Sequence, residues 1–525
     1  MTSLELMEYK RKDIQNRLDS DKSHYKRNKS GQFATPTNLA IDILEYSKTL
    51  FPDDTDIRFL DPACGTGAFY SGFLEVFSLS RTSIATGYEI DPDYGNEAIK
   101  LWCKTGLQLN INDFTKAMPP DSEDMKFNFL ICNPPYVRHH HLTGHEKSRL
   151  QKLSYEITGI KLNKLAGLYC YFLFISHRWV SEDSLSVWLI PGEFMDVNYG
   201  QQVREYLTNS VSLMRIHRFK PDDLQFNDAL VSSTVIWFKK KIPSPDHMVE
   251  FTCGSNLKRP EITRYISVDT MHHSGKWSRF FHEIDKPDIN IKHSKLSDLF
   301  MIKRGLVTGA NDFFLLTSEQ ISKYELPAEF LTPILPGPKY LPDDEIKADE
   351  SGIPVLNHKL FLLNCNLPEK QIKSKHSALW KYLQTGIDKK INERYLCSHR
   401  SPWYSQEKRQ PARFLCTYMN RQNLSDKRVF RFILNHSNAI AANVYLILYP
   451  VPVLEKAINK DPILIDVIWN YLKGISSHSL TREGRVYGGG LFKIEPGELG
   501  NTVIDNIHTI LPDVFNRVTE QALLF

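Results

Sequence analysis

Long apolar runs are missing from this chain. The most apolar stretch, around 168–180, is broken by His177 and Arg178, so no segment reaches membrane-spanning length. The opening MTSLELMEYKRKD is charged and lacks the apolar core of a signal peptide. Cysteine is sparse. Cys64, Cys103, Cys132, Cys170, Cys253, Cys365, Cys397 and Cys416 stand singly, with no short-spaced pair of the zinc type and far too few for a disulfide scaffold in 525 residues. They read as reduced thiols of a soluble, intracellular protein. A dominant charge is also absent: the net value of +4 neither demands nor excludes a polyanionic partner, which only a clustering of basic residues on one face would do. Internal repeats and low-complexity segments are lacking too. Hydrophobic content of 42% and charged content of 24% are ordinary, and the length calls for two or three domains.

Residues 1–30, which include the basic stretch DKSHYKRNKS, read as a basic surface arm. From 31 to 240, short apolar runs alternate with longer amphipathic stretches. IRFL at 57–60, SIATGYEI at 83–90, FNFLIC at 127–132 and SLSVWLI at 184–190 have the character of buried strands. Helices are expected near 68–78, 93–104, 168–180 and 200–208, and SLMRIHRF with ALVSSTVIWF as a closing hairpin. Such alternation predicts an α/β domain with a mostly parallel sheet covered on both faces. The run KKKIPSPDHM at 239–248 marks the expected boundary, and 241–525 a second domain of irregular pattern.

Between the first strand and its helix lies FLDPACGTGAF, with Gly65 and Gly67 placed for a tight turn and close approach of a ligand. The run lacks the G-x-x-x-x-G-K-[ST] phosphate cradle and the third glycine of G-x-G-x-x-G. Asp61 would repel a pyrophosphate but pair with the amino group of a methionine moiety. S-adenosylmethionine therefore suits the turn better than NAD or ATP. Glu89, and less so Asp91, ends the next strand where a carboxylate can accept ribose hydroxyls. Asp113 could accept an adenine amino hydrogen while Phe114 packs on the ring.

The segment ICNPPYVR at 131–138 ends a buried strand abruptly. Two prolines fix φ and remove amide donors, so the loop offers carbonyl oxygens rather than N–H groups. The Asn133 side-chain oxygen beside the Pro134 carbonyl makes a pair of acceptors, which suits an –NH2 group with its two hydrogens. Holding both would draw the nitrogen out of planarity and aim its lone pair at an incoming methyl. Tyr136 supplies a face on which a base could stack. This chemistry needs neither a metal nor a covalent nucleophile.

Taken together, GQFATP at 31–36, DPACGTG at 61–67, GYEID at 87–91, NDF at 112–114 and NPPY at 133–136 stand in a characteristic order. The chain resembles the amino-group DNA methyltransferases, and within them the gamma-class N6-adenine methylases of bacterial type II restriction–modification systems. The resemblance covers roughly residues 25–240. It implies a Rossmann-like S-adenosylmethionine-dependent fold with a C-terminal mixed α+β DNA-recognition domain. Thr35 would contact the methionine end, and Asp61, Ala63, Gly65 and Gly67 would line its pocket. Glu89 and Ile90 would hold the ribose side, Asp113, Phe114 and Phe172 the adenine, with Pro135 completing the wall. Asn133 and the Pro134 carbonyl would grip the target amino group between Tyr136 and Phe226. The target base must leave the duplex to reach such a crevice.

The histidines 139–141 and His145 could suggest a metal, but adjacent loop side chains rarely converge on one ion, and Arg138 beside them suits DNA better. In the second half, RGLVTGANDFF, RSPWYSQ and GRVYGGGLFKIEP resemble recognition-domain segments and nominate Arg304, Asn311, Arg400, Arg485 and Lys493 for phosphate or base-edge contacts. The expected partners are double-stranded DNA and a separate cognate restriction endonuclease, with the chain a monomer of the bacterial cytoplasm. Rival readings are methylation of RNA or of a protein glutamine amide, and a fused restriction–modification enzyme.

Overall fold

The computed structural model describes residues 2–52, 55–77, 82–220, 225, 233–281, 294–421, 428–487 and 490–504. Two compact units divide the chain: Met1–Pro287 with Tyr487–Gly490, and Asp288–Val486 with Leu491–Phe525.

In the first unit the segment expected as an arm is helical. A capping box between Thr2 and Glu5 starts α1 (Ser3–Asp21), and Gly31, in the left-handed region at φ 66°, ends α2 (His24–Ser30). Next come α3 (Thr37–Lys48), β1 (Ile57–Asp61), α4 (Ala68–Val76), β2 (Thr82–Glu89), α5 (Pro92–Trp102), β3 (Leu107–Ile111) and β4 (Phe127–Cys132). The chain goes on through α6 (Gly144–Thr158), α7 (Leu168–Ile175), β5 (Val180–Pro191), α8 (Gln201–Asn209), β6 (Ser212–Arg218) and β7 (Ser233–Lys239). Two further strands, β8 (Met248–Cys253) and β9 (Ile262–Ser267), complete a single sheet in the order β3-β2-β1-β4-β5-β7-β6-β8-β9.

β3, β2, β1, β4 and β5 run parallel, and β7 enters antiparallel between β5 and β6. The expected strands and hairpin are present. The Lys- and Pro-rich run at 239–248 lies inside the unit, because β8 adds parallel to β6 and carries the sheet onward. Side chains alternate across the sheet. Leu185, Val187 and Leu189 of β5 face the layer of α3, α4 and α5, while Trp188 and Ile190 face α6, α7 and α8. Chain order reverses between β1 and β4, so a crevice opens at their carboxyl ends.

The second unit is mixed α+β. Its main sheet orders Phe300–Arg304, Tyr445–Pro450, Phe414–Thr417, Phe432–Asn435 and Glu345–Ile346. Leu434, Leu446 and Leu448 of this sheet pack with Leu472 of the helix Leu464–Gly474. No helix among the described residues is long and apolar enough to cross a membrane.

Phe129 of β4 is fully buried against Phe51, Phe59, Phe73 and Phe77. Phe129→Ala should cost about 3–5 kcal/mol, seen as an earlier urea transition.

Candidate active site

A cavity of about 630 Å3 occupies the crevice, and the glycine turn, the β2 acid and the NPPY loop all reach it. The turn is built tightly. A Cβ on Gly67, at φ 91°, would lie 2.4 Å from Trp102 Nε1, which donates to the Thr66 carbonyl at 2.9 Å. Only glycine fits there. Ala63 and Gly65 line the cavity, and Gly67 supports the turn from behind.

Asp61 is 1% exposed, and its Oδ1 accepts from Ala63 N at 3.1 Å. Burial pushes its carboxyl up to about 8, and the charge of Glu89 adds to the shift. Glu89 is raised as well, chiefly by burial, although the amides of Gly65 (2.9 Å) and Asp91 (2.8 Å) counter it. Glu89 lines the cavity, and Asp61 lies fully buried directly before the lining residues Pro62 and Ala63, so negative charge near this wall favours a cationic guest. Asp91 is engaged elsewhere: it accepts from Lys22 Nζ and from Gln32 Nε2, and it caps α5. Glu89 is thus the freer of the two acids at the end of β2.

Asp113 lines the cavity while its Oδ1 accepts from the amide and hydroxyl of Thr115. Phe114 and Phe172 form an apolar wall, with ring centroids 5.6 Å apart. Ile90 and Pro135 also line it.

Asn133 is the most constrained side chain. Its Nδ2 donates to the Phe33 carbonyl at 2.9 Å and to Thr35 Oγ1 at 3.0 Å. A carbonyl can only accept, so the amide cannot be flipped. Its Oδ1 is buried and accepts no hydrogen bond among the described residues. Thr35, 7% exposed, therefore acts on Asn133 in this structure and is not among the residues lining the cavity. Pro134 is buried. Tyr136 is 8% exposed, with its hydroxyl donating to the Leu189 carbonyl and its ring 5.8 Å from that of Phe33. Phe226 lies outside the described residues.

Sequence reasoning missed the clamp formed by the Phe33 carbonyl, and also Gln15, Asp19 and Gln32 at the cavity wall. A backbone carbonyl leaves no mark in residue identity. Gln32 could have been found, since it belongs to the GQFATP segment.

Arg138 is exposed beside the NPPY loop. In the second unit Arg304 and Asn311 are exposed, with the Arg304 guanidinium 4.4 Å from the centroid of the Tyr418 ring. Arg400, half-buried, has internal partners. Its guanidinium donates to the carbonyls of Val307 and Thr308 and to Gln406, bracing the loop after Arg304. Arg485 pairs with the buried Glu498 at 2.7 Å, and Lys493 with Glu495 at 2.8 Å, so both side chains are tied into their own unit. No group of His, Cys, Asp or Glu among the described residues could hold a metal ion.

Two family models match this chain. One, the Eco57I restriction-modification methylase, spans residues 75–225, and the other, the C-terminal domain of the type II methyltransferase M.Eco57I, spans 279–522. The matches together make the chain similar to type II restriction–modification methyltransferases along most of its length. Similar proteins include the type II methyltransferase M.AccI of Acinetobacter calcoaceticus, 25% identical over 90% of this chain and 85% of the relative. M.XamI of Xanthomonas campestris pv. amaranthicola is 24% identical over 92% and 86%. Among solved structures, the type IIL restriction-modification enzyme MmeI, described in complex with DNA, superposes with a TM-score of 0.52 at 13% identity. The DrdV–DNA complex gives 0.51 at 13%. The chain covers 64% and 54% of those solved chains, a likeness of fold.

The raised Asp61 carboxyl makes a pH prediction. An acid whose folded-state pKa exceeds its unfolded value keeps its proton on folding, so its contribution is full at low pH and is lost as pH rises from 3.8 to about 8. The melting temperature of ligand-free Asp61→Asn, relative to the parent, should therefore climb across this window.

A Cβ on Gly31 would sit 2.3 Å from Tyr136 N. Gly31→Ala should displace the NPPY backbone and cut turnover by about 100-fold, read as kcat in a methyl-transfer assay.

Proposed function

We propose that this methyltransferase transfers a methyl group from S-adenosylmethionine to N6 of an adenine flipped out of duplex DNA at a specific site. The mark would shield that site from a separate cognate endonuclease. The observation that carries this reading is the Asn133 oxygen, buried at the cavity with its amide hydrogens already committed and no donor of its own. A buried acceptor left without a donor costs free energy, about 1–3 kcal/mol. An incoming amino group would recover that loss.

The residues present fit the cofactor. The buried Asp61 suits its ammonium, Glu89 its ribose, Asp113 the adenine amino group, and Phe114 with Phe172 the ring. When bound, S-adenosylmethionine supplies an electrophilic methyl on a sulfonium. The chain's own work is orientation. Asn133 Oδ1 and the Pro134 carbonyl accept the two amino hydrogens, which frees the nitrogen lone pair to attack. Tyr136 and Phe226 are the residues proposed to stack on the base. Arg138, Arg304 and Asn311 are proposed DNA contacts, and the second unit the target-recognition part. The DNA complexes described for MmeI and DrdV support a DNA substrate over RNA or a glutamine amide.

Labelled S-adenosylmethionine and plasmid DNA, followed by nucleoside analysis, test the reading. N6-methyldeoxyadenosine is expected, with Asn133→Ala lowering the rate by at least about 1000-fold, since both the grip and the lone-pair alignment go. Label in N4-methylcytosine would overturn the adenine assignment. No label in DNA from a cofactor-binding protein would overturn the DNA substrate.

A further inference from the structure

Helix α1 carries Leu4, Leu6, Met7, Ile14 and Leu18, yet its one buried residue is an arginine. Arg11 is 2% exposed. Its Nε and Nη2 hold both oxygens of Glu8, at 2.7 and 2.8 Å. The rest of the fork reaches outward in two directions. Nη1 donates to Thr66 Oγ1 in the glycine turn at 3.2 Å, and Nη2 to Thr37 Oγ1 at 3.1 Å. Glu8 in turn accepts from Thr37 Oγ1 at 2.5 Å and from Ser71 Oγ of α4 at 2.6 Å, while Thr66 Oγ1 donates to Gln15 of α1 at 2.7 Å.

Thr37 lies two residues after Thr35, the hydroxyl that accepts from Asn133. One buried guanidinium therefore touches both the turn that lines the cofactor cavity and the first residue of α3, just after the segment that fixes the catalytic amide. Taking an ion pair out of water is costly, and a two-residue pair is tolerated only where its hydrogen bonds are satisfied. Here they are satisfied by Thr66 of the glycine turn, by Thr37 two residues beyond the Asn133 clamp, and by Ser71 of α4. Packing alone would not have needed an arginine.

We propose that Arg11, held by Glu8, is a positioning residue for methyl transfer, coupling the glycine turn to the Asn133 clamp and making α1 part of the active site. This rests on the reaction proposed above. Lysine cannot replace the planar fork at both threonines.

The test uses the full chain and three variants, assayed for kcat and for KM of S-adenosylmethionine at a temperature where circular dichroism shows each folded. Arg11→Met should raise KM and lower kcat, each by about tenfold or more, since small misplacements of reacting groups have effects of that order. Thr66→Val should act mainly on KM, and Thr37→Val mainly on kcat. Arg11→Lys should recover only part of either. A structural role alone would lower the melting temperature and leave both constants of the folded enzyme in place. Values within twofold of the parent in Thr66→Val and Thr37→Val overturn the proposal, even if Arg11→Met fails to fold. Calorimetric binding of S-adenosylmethionine separates this idea from the proposed reaction. If the parent binds cofactor but leaves DNA unlabelled, the reaction fails, and the coupling stands or falls on whether Thr66→Val weakens binding.

Discussion

A buried side-chain amide whose two hydrogens are both taken can offer its oxygen in one direction only. Asn133 is in that state, with the Phe33 carbonyl and Thr35 hydroxyl holding Nδ2 and Oδ1 left open. Much of the first unit serves this one orientation. Parallel pairing of β4 with β1 and β5 delivers the loop to the sheet edge. The prolines strip it of donors, and Gly31 lets the preceding segment come so near that the Tyr136 amide donates to the Gly31 carbonyl at 3.1 Å.

The cofactor side of the cavity depends on burial rather than on charge count. The chain's net charge is only +4, yet the buried Asp61 and the Glu89 of the cavity wall lie close enough for the charge of one to raise the other, beyond what burial alone does. That environment raises both acids, and it rewards a guest that brings positive charge. Asp91 gives its oxygens to Lys22, Gln32 and the start of α5, whereas Asp113 commits Oδ1 to Thr115. The same residue type thus takes different roles within one pocket, according to what surrounds it.

α1 and α2 tie the two sides together. A stretch rich in Lys and Arg reads as solvated, because composition measures average polarity and not partners. Arg11 is buried only because Glu8, Thr37 and Thr66 meet its donors, and those residues are up to 55 positions away. In the second unit the Arg400 guanidinium likewise finds partners far away in sequence, the carbonyls of Val307 and Thr308.

What the sequence determined by itself is the part governed by local rules. Short apolar runs, rich in β-branched and aromatic residues, named β1, β2, β4 and β5, and glycine and proline marked the turns that follow β1 and β4. The order of its short motifs named the family, because each motif is a contiguous string whose chemistry travels with it. Tertiary structure alone decided which partners Glu89 and Asp91 take, which way the Asn133 amide points, and that Arg11 reaches both the glycine turn and the start of α3. It also carried the sheet past the proline run at 239–248 through β8 and β9. Each of these rests on contacts between residues far apart in the chain, on backbone carbonyls, or on burial. None of the three is encoded in the identity of a single residue or its neighbours.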